Sequence, residues 1–495
     1  MKKIGFDNEM YIEKQTEQIL KRISQFDNKL YLEFGGKLFD DFHASRVLPG
    51  FGNNSKIMIL QKLASKAEII FAISAIDIEN NKVRADSGLT YDMDVMRLID
   101  EIRKIGLYVS SVVITQFASQ SSALEFKNKL TLRGEKVYIH RIIEGYPSNV
   151  DKIVSNEGYG SNDFIETTRP LVVVTAPGPG SGKMATCLSQ LYHEFNHGVK
   201  AGYAKYETFP IWNLPLKHPV NLAYEAATAD LKDVNMIDPF HLDAYNQKAV
   251  NYNRDIDIFP VVKTMLTKIT GDENVYKSPT DMGVNMAGYC IIDDEATQKA
   301  ACDEIIRRYY KVMCDYKQGK ATTDTIQKIE LILNQINLKP DSRLVVKPAL
   351  LKSEASGTVA IALELQTGEI ITGKTSNLLS ASSALILNAI KKLSNIDDEM
   401  LLLSPIVIEP IIKLKQTLKS KNTALNLEET LISLSICAAT NPIIKQIIDN
   451  LGKLKDCEAH SSNILGPNDT IMIRKLGINL TCEPEFSSKD LYEGD

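Results

Sequence analysis

The stretch RPLVVVTAPGPGSGKMATCLSQLYHEF, Arg169 to Phe195, decides the fold. Its opening, Leu171 to Ala176, is a continuous apolar run rich in β-branched residues, of the length of a strand buried on both faces. Pro177, Gly178, Pro179, Gly180 and Gly182 then interrupt regular structure. Beyond Lys183 the apolar positions return at helical spacing. A buried strand, a tight glycine turn and a helix in succession predict a parallel sheet covered by helices.

The turn also bears comparison with a phosphate-binding loop. The Walker A pattern, Gly-x-x-x-x-Gly-Lys-Ser/Thr, needs backbone amides to curl round a phosphate, a lysine to reach the outer phosphates and a hydroxyl to hold magnesium. Here the context is right and the register departs. Pro177 stands at the first glycine position and has no N–H to give, and Met184 offers a thioether where a hard cation needs oxygen. Ser181 still presents a hydroxyl from the loop. Three glycines let a ligand approach the backbone, and a lysine at a helix N-terminus is unfavourable unless an anion is near. Gly178, Gly180, Ser181, Gly182 and Lys183 are therefore the candidate anion-binding residues, with a purely structural turn as the alternative. A nucleotide or phosphate suits such a loop, with magnesium as its companion.

Outward from this stretch the chain alternates in the α/β manner. An amphipathic helix spans Ile12 to Phe26, with short strands around Gly35 and Gly36. Helices near Ser55–Ser65 and Tyr91–Ile105 lead to the strands EIIFAISA and YVSSVVITQ. Ser122 with Glu125 reads as a capping box for the next helix, and KVYIHRII follows as a strand. This predicts a layered α/β domain over residues 1–225 with a mostly parallel sheet and a phosphate-loop-like turn. Residues 226–340 read as a largely helical middle: a long helix within 293–319, then another begun by Asp324 with Gln327. Residues 341–495 read as a mixed-sheet α/β domain. There GTVAIALELQTGEIITG forms a hairpin, MLLLSPIVIEPIIKL a strand running into a helix, Asn426 and Glu429 a capping box, and TIMIRKLGINLTCEP a strand pair.

Composition narrows the functional classes. A 495-residue chain with 44% hydrophobic and 24% charged residues can bury several cores. The formal net charge of -5 argues against a dedicated nucleic-acid surface. Seven scattered cysteines without a Cys-x-x-Cys motif read as reduced thiols in the cytoplasm. The N-terminus lacks an apolar segment of signal type, and the apolar runs are too short to span a bilayer.

Other polar groups compete for a role. Lys205 and Glu207 follow a predicted strand, at the edge where open α/β sheets bind ligands, an edge ion pair being the alternative. Arg254 precedes Asp255 and Asp257, which share a side if the segment is extended. Asp281 sits in the turn-rich SPTDMGVNMAG, and Glu458 and His460 in CEAHSSNIL, where His460 is either a base or part of a capped turn. His193, Glu194 and His197 have the His-Glu-x-x-His spacing of zinc proteases. Their place near a helix end reads instead as histidines facing the dipole, and no metal ligands are assigned.

Taken together, APGPGSGKM, the opening IGFDNEMYIEKQTEQILKRI, GGKLFDDFHASRVLPGF, SPTDMGVNMAG and CEAHSSNIL resemble, over the full length, a bacterial family defined by a domain of unknown function of the DUF1846 type. That resemblance implies a cytosolic multi-domain α/β protein and transfers no catalytic residue. The residues themselves favour an enzyme acting on a phosphorylated or nucleotide-bearing small molecule. Its anion would be held by the glycine loop with Arg254 and Asp281 nearby, and Lys183, Glu207 and His460 would be the candidate catalytic groups. The alternatives are a non-catalytic nucleotide or metabolite sensor and a homo-oligomeric assembly protein that would carry an apolar stripe along residues 294–317.

Overall fold

The computed structural model of the chain describes residues 3–36, 38–39, 42–84, 87–420 and 422–487. They form two compact units. One holds residues 4–225 and 231–301; the other holds the chain from 302 onward with Lys3 and the short stretch 226–230.

The first unit is built on seven strands: β1 Leu30–Phe34, β2 Ala67–Ser74, β3 Val109–Phe117, β4 Val137–Arg141, β5 Leu171–Thr175, β6 Gly202–Tyr206 and, after the antiparallel ribbon of β7 Asn235–Ile237 with β8 Val250–Tyr252, the two-residue β9 Gly283–Val284. They lie in the order β4-β3-β2-β5-β1-β6-β9, and every pairing is parallel. The apolar run of the opening stretch is the central β5, buried at each residue. On one face Tyr31, Val172, Val174 and Tyr203 pack under the helices Lys183–Asn196 and Asn253–Thr270, through Cys187, Leu188, Leu191, Phe259 and Val262. From β2 the chain steps outward to β3 and β4, and from β5 it steps the other way to β6. The crevice between β2 and β5 is thus a topological switch point, where open α/β sheets receive ligands.

The second unit carries a four-stranded mixed sheet: β10 Ala360–Glu364, β11 Ile370–Lys374, β12 Glu458–Ser461 and β13 Asn479–Cys482, in the order β11-β10-β12-β13. β10 is antiparallel to both neighbours, and β12 and β13 are parallel. The capping box of Asn426 and Glu429 is present in both halves and opens the helix Leu427–Ala438.

Several local expectations give way. The helix after β3 begins at Ser121 with Gln120 as N-cap, so Ser122 lies inside it. Thr322 occupies the cap position expected for Asp324, which instead sits in the first turn of Thr323–Gln335, where its charge meets the positive end of the helix. Leu402 and Leu403 are buried without forming a strand before the helix Pro405–Thr417, and TIMIRK is the end of the helix Pro467–Lys475. Short apolar runs do not distinguish strand from buried helix or coil. His460 lies in β12 rather than in a turn. Asp255 and Asp257 begin a helix, so one is buried and the other exposed. Along the helix Asp294–Lys317, Tyr316 is the one large apolar side chain exposed among the described residues, which leaves no apolar stripe there.

In the second unit the helix Ala381–Leu393 crosses β11 at Gly373, where an added Cβ would lie 2.2 Å from the amide nitrogen of Leu385 and 2.7 Å from the carbonyl oxygen of Ala381. Because both obstacles are backbone, the helix itself must move. Gly373→Ala is therefore expected to lower stability by about 1–3 kcal/mol in urea unfolding, the range for overpacking a tight contact; an unchanged midpoint contradicts the close approach.

Candidate functional site

The loop that follows β5 is shaped by its glycines. Gly180 and Gly182 have φ of 79° and 80°, a conformation that side-chain-bearing residues rarely adopt. Gly178 touches Tyr91: a Cβ there would fall 2.2 Å from the phenolic oxygen. The Thr115 hydroxyl at the end of β3 donates to the carbonyl of Ser181 at 2.8 Å, and the buried Ser181 hydroxyl donates to the carbonyl of Gly178 at 2.9 Å. These bonds hold the loop by its carbonyls. Pro179 and Gly180 form a turn closed by the Ser181 amide onto the Gly178 carbonyl. Among the described residues no protein acceptor takes the amides of Gly178, Gly180, Gly182 or Lys183, and Lys183 makes no ion pair or side-chain hydrogen bond. The hydroxyls of Thr175, just before the loop, and Thr186, just after it, are buried without a partner.

On the neighbouring strands lies a buried charge cluster. Glu33 of β1 is in register with Val174 of β5 on one side and Lys205 of β6 on the other. Neighbouring strands lie about 4.8 Å apart, so these positions follow one line along the carboxyl edge. The Lys205 ammonium donates to Asp255 at 2.6 Å and lies 3.0 Å from Glu207, and Trp212 Nε1 donates to the other Glu207 oxygen at 3.2 Å. The Tyr203 hydroxyl donates to Glu33 at 2.7 Å. Gly283 of β9 leaves room for this arrangement, since a Cβ would meet the Trp212 ring at 2.4 Å and Glu207 at 2.9 Å. One lysine thus serves three carboxylates. Burial alone would lower Lys205, but Asp255, Glu207 and Glu33 outweigh it and raise its pKa above the ordinary lysine value. Burial also raises the Glu207 carboxyl, against the pull of Lys205. Cys187, one turn into the Lys183 helix, has its thiol raised first by burial and then by Glu33, with Lys183 opposing, so both charges lie within electrostatic reach of it.

Of the sequence candidates, the glycine loop, Lys183, Lys205 and Glu207 lie at this carboxyl edge. Arg254 is 59% exposed and faces Asp233 at 3.5 Å. Asp281 is engaged locally, accepting from the Tyr245 hydroxyl and the Lys277 amide at 2.9 Å each. His460 belongs to the second unit, between Thr481 at 2.8 Å and Glu483 at 3.2 Å. In the His-Glu-x-x-His segment the Tyr31 hydroxyl donates to the buried Glu194 at 2.7 Å, and both histidines pack on Phe164. The described residues hold no group of three or more His, Cys, Asp or Glu side chains arranged for a metal ion. Glu33 and the buried role of Asp255 escaped the sequence reading, although a carboxylate ending the apolar run LYLEF before two glycines was the available signal.

The chain is matched over residues 4–337 by the family model "Domain of unknown function DUF1846, N-terminal" and over residues 341–492 by its C-terminal counterpart. It is 58% identical over 499 residues to a UPF0371 protein of Clostridium tetani (strain Massachusetts / E88), with 99% of each chain covered. Identity to UPF0371 proteins of Clostridium botulinum is 57% for the Langeland strain and 55% for Alaska E43, with the same coverage. The chain belongs to the DUF1846 family. Among the described residues no helix is long and apolar enough to cross a membrane.

Removing Lys205 leaves Glu33, Glu207 and Asp255 without their shared cation. Lys205→Ala is expected to cost about 3–5 kcal/mol near neutral pH, the range for breaking a buried ion pair from one side. The deficit shrinks as pH falls into the carboxylate range and the stranded acids take up protons. Urea unfolding of wild type and variant at several pH values reads both; a deficit of the same size at every pH contradicts the electrostatic account.

Proposed function

We propose that this member of the DUF1846 family binds a phosphate-bearing small molecule at the carboxyl edge of its parallel sheet and acts on it as an enzyme. The observation that carries the reading is the set of amides of Gly178, Gly180, Gly182 and Lys183 with no protein acceptor among the described residues, at the start of a 14-residue helix whose first side chain, Lys183, has no ion partner among them either. Unpaired amides and the positive end of a helix suit an anion, and Lys183 supplies the counter-charge. Gly178, Gly180, Ser181 and Gly182 would cradle the phosphate oxygens. Lys183 would offset charge that builds on them during group transfer.

Proton handling falls to the neighbouring cluster. Glu207 is buried, raised in pKa and held by Lys205 and Trp212, which are the conditions that bring a carboxyl toward the working range of a general acid or base. Glu33 lies between the loop strand and Lys205. One observation favours a second reading, a non-catalytic sensor of the same class of ligand: the Ser181 hydroxyl is already engaged with the carbonyl of Gly178, away from any metal role.

The test is thermal denaturation of the full chain with inorganic phosphate and a panel of nucleotides and sugar phosphates. Wild type is expected to be stabilised by at least one of them. Lys183→Ala should unfold at its own unchanged midpoint without ligand and bind at least tenfold more weakly. Equal ligand-induced shifts in the two proteins would overturn the assignment. With the ligand in hand, Glu207→Gln separates the two readings: retained binding with lost turnover identifies the enzyme, and absence of turnover in wild type identifies the sensor.

A further inference from the structure

The second unit contains a cavity of about 430 Å³, within the size range of small-molecule sites. Its wall includes Tyr309, Tyr310 and Met313 of the long helix, Lys339 and Asp341 before β10, and Glu483 just after β13. Glu483 is the terminus of a chain of buried polar groups. Arg307 pairs with Glu304 and Glu458 at 2.8 Å each, and Glu458 also accepts from Arg343 at 2.5 Å. Arg343 in turn donates to the Thr481 hydroxyl, which lies 2.8 Å from His460 Nδ1, and His460 Nε2 lies 3.2 Å from Glu483.

The direction of this chain follows from its first member. A guanidinium only donates, so Thr481 accepts from Arg343 and has one proton to give. The shorter separation directs that proton to His460 Nδ1 at 2.8 Å rather than to the Ala459 carbonyl at 3.3 Å. Burial lowers the His460 pKa, against the opposing pull of Glu483, which favours the neutral ring. A neutral ring that accepts at Nδ1 carries its proton on Nε2 and donates it to Glu483. Glu483 is thereby fixed as an acceptor: the buried histidine and the Tyr310 hydroxyl both engage its carboxylate, which lies in the wall of the cavity.

The remaining charges do not cancel it. Lys339 is exposed, and Asp341 lies 3.7 Å from Lys347. What a guest meets is a positioned carboxylate beside two tyrosine rings, 5.5 Å between centroids and 70° apart in plane, and a methionine. Aromatic faces combined with an anion recognise organic cations through quadrupole and charge attraction. We propose that this cavity binds a small organic cation, an ammonium group on an apolar body, with its charge against Glu483 and the rings of Tyr309 and Tyr310.

Calorimetric titration of the full chain tests this with choline, putrescine and 3,3-dimethylbutan-1-ol, the uncharged isostere of choline. Choline or putrescine is expected to bind wild type and Tyr309→Phe with similar affinity, and to bind Tyr309→Leu and Glu483→Gln at least tenfold more weakly. The neutral alcohol should not bind. The Tyr309 hydroxyl makes no hydrogen bond among the described residues, so Tyr309→Leu remains informative should Glu483→Gln fail to fold. The proposal is overturned if neither amine binds wild type, if the alcohol binds as well as choline, or if Tyr309→Leu binds as tightly as Tyr309→Phe.

Discussion

A parallel strand with helices on both faces has no place for a polar side chain except its ends, and this constraint organises the first unit. β5 is buried throughout, so the polarity of the region gathers where the strands stop. There the carboxylates Glu33, Glu207 and Asp255 meet Lys205, and the helix that follows β5 opens from a glycine turn. A single lysine among the buried carboxylates Glu207 and Asp255 and the half-buried Glu33 is an arrangement that costs stability unless every group is satisfied. Trp212 and Tyr203 supply the additional donors.

The second unit meets the same cost differently. Its buried charges are joined in a line, Glu304 to Arg307 to Glu458 to Arg343, and the line continues through the neutral donors Thr481 and His460 to Glu483 at a cavity. Burying a chain of this kind is weak as a source of stability compared with an apolar core. Its physical effect is to set donor and acceptor roles at its far end, where Glu483 can present only an acceptor to a guest.

Much of the layout was legible in the residues because it depends on local periodicity. The run LVVVT, the glycines after it and the return of helical spacing identified the central strand and its helix, and Asn426 with Glu429 marked a true capping box. What escaped was set by tertiary context. Ser122 and Asp324 carry good capping chemistry, yet the chain enters each helix two residues earlier. Leu402 and Leu403 satisfy burial without extended pairing. Glu33 looked like one polar residue before a glycine pair, because its neighbours Val174 and Lys205 are far away in sequence and meet it only through strand order. His460 likewise showed its residue type but not its partners, Thr481 and Glu483, which reach it from β13 and the residue after it.

The central claim is that the amides from Gly178 to Lys183 receive an anion, and their own resonances test it most directly. In a titration of isotope-labelled full chain with inorganic phosphate, followed by amide proton and nitrogen shifts, the account predicts saturable downfield movement of Gly180, Gly182 and Lys183, with distant amides unmoved. Shifts confined to other parts of the chain, or none at these residues while phosphate binds elsewhere, would contradict it.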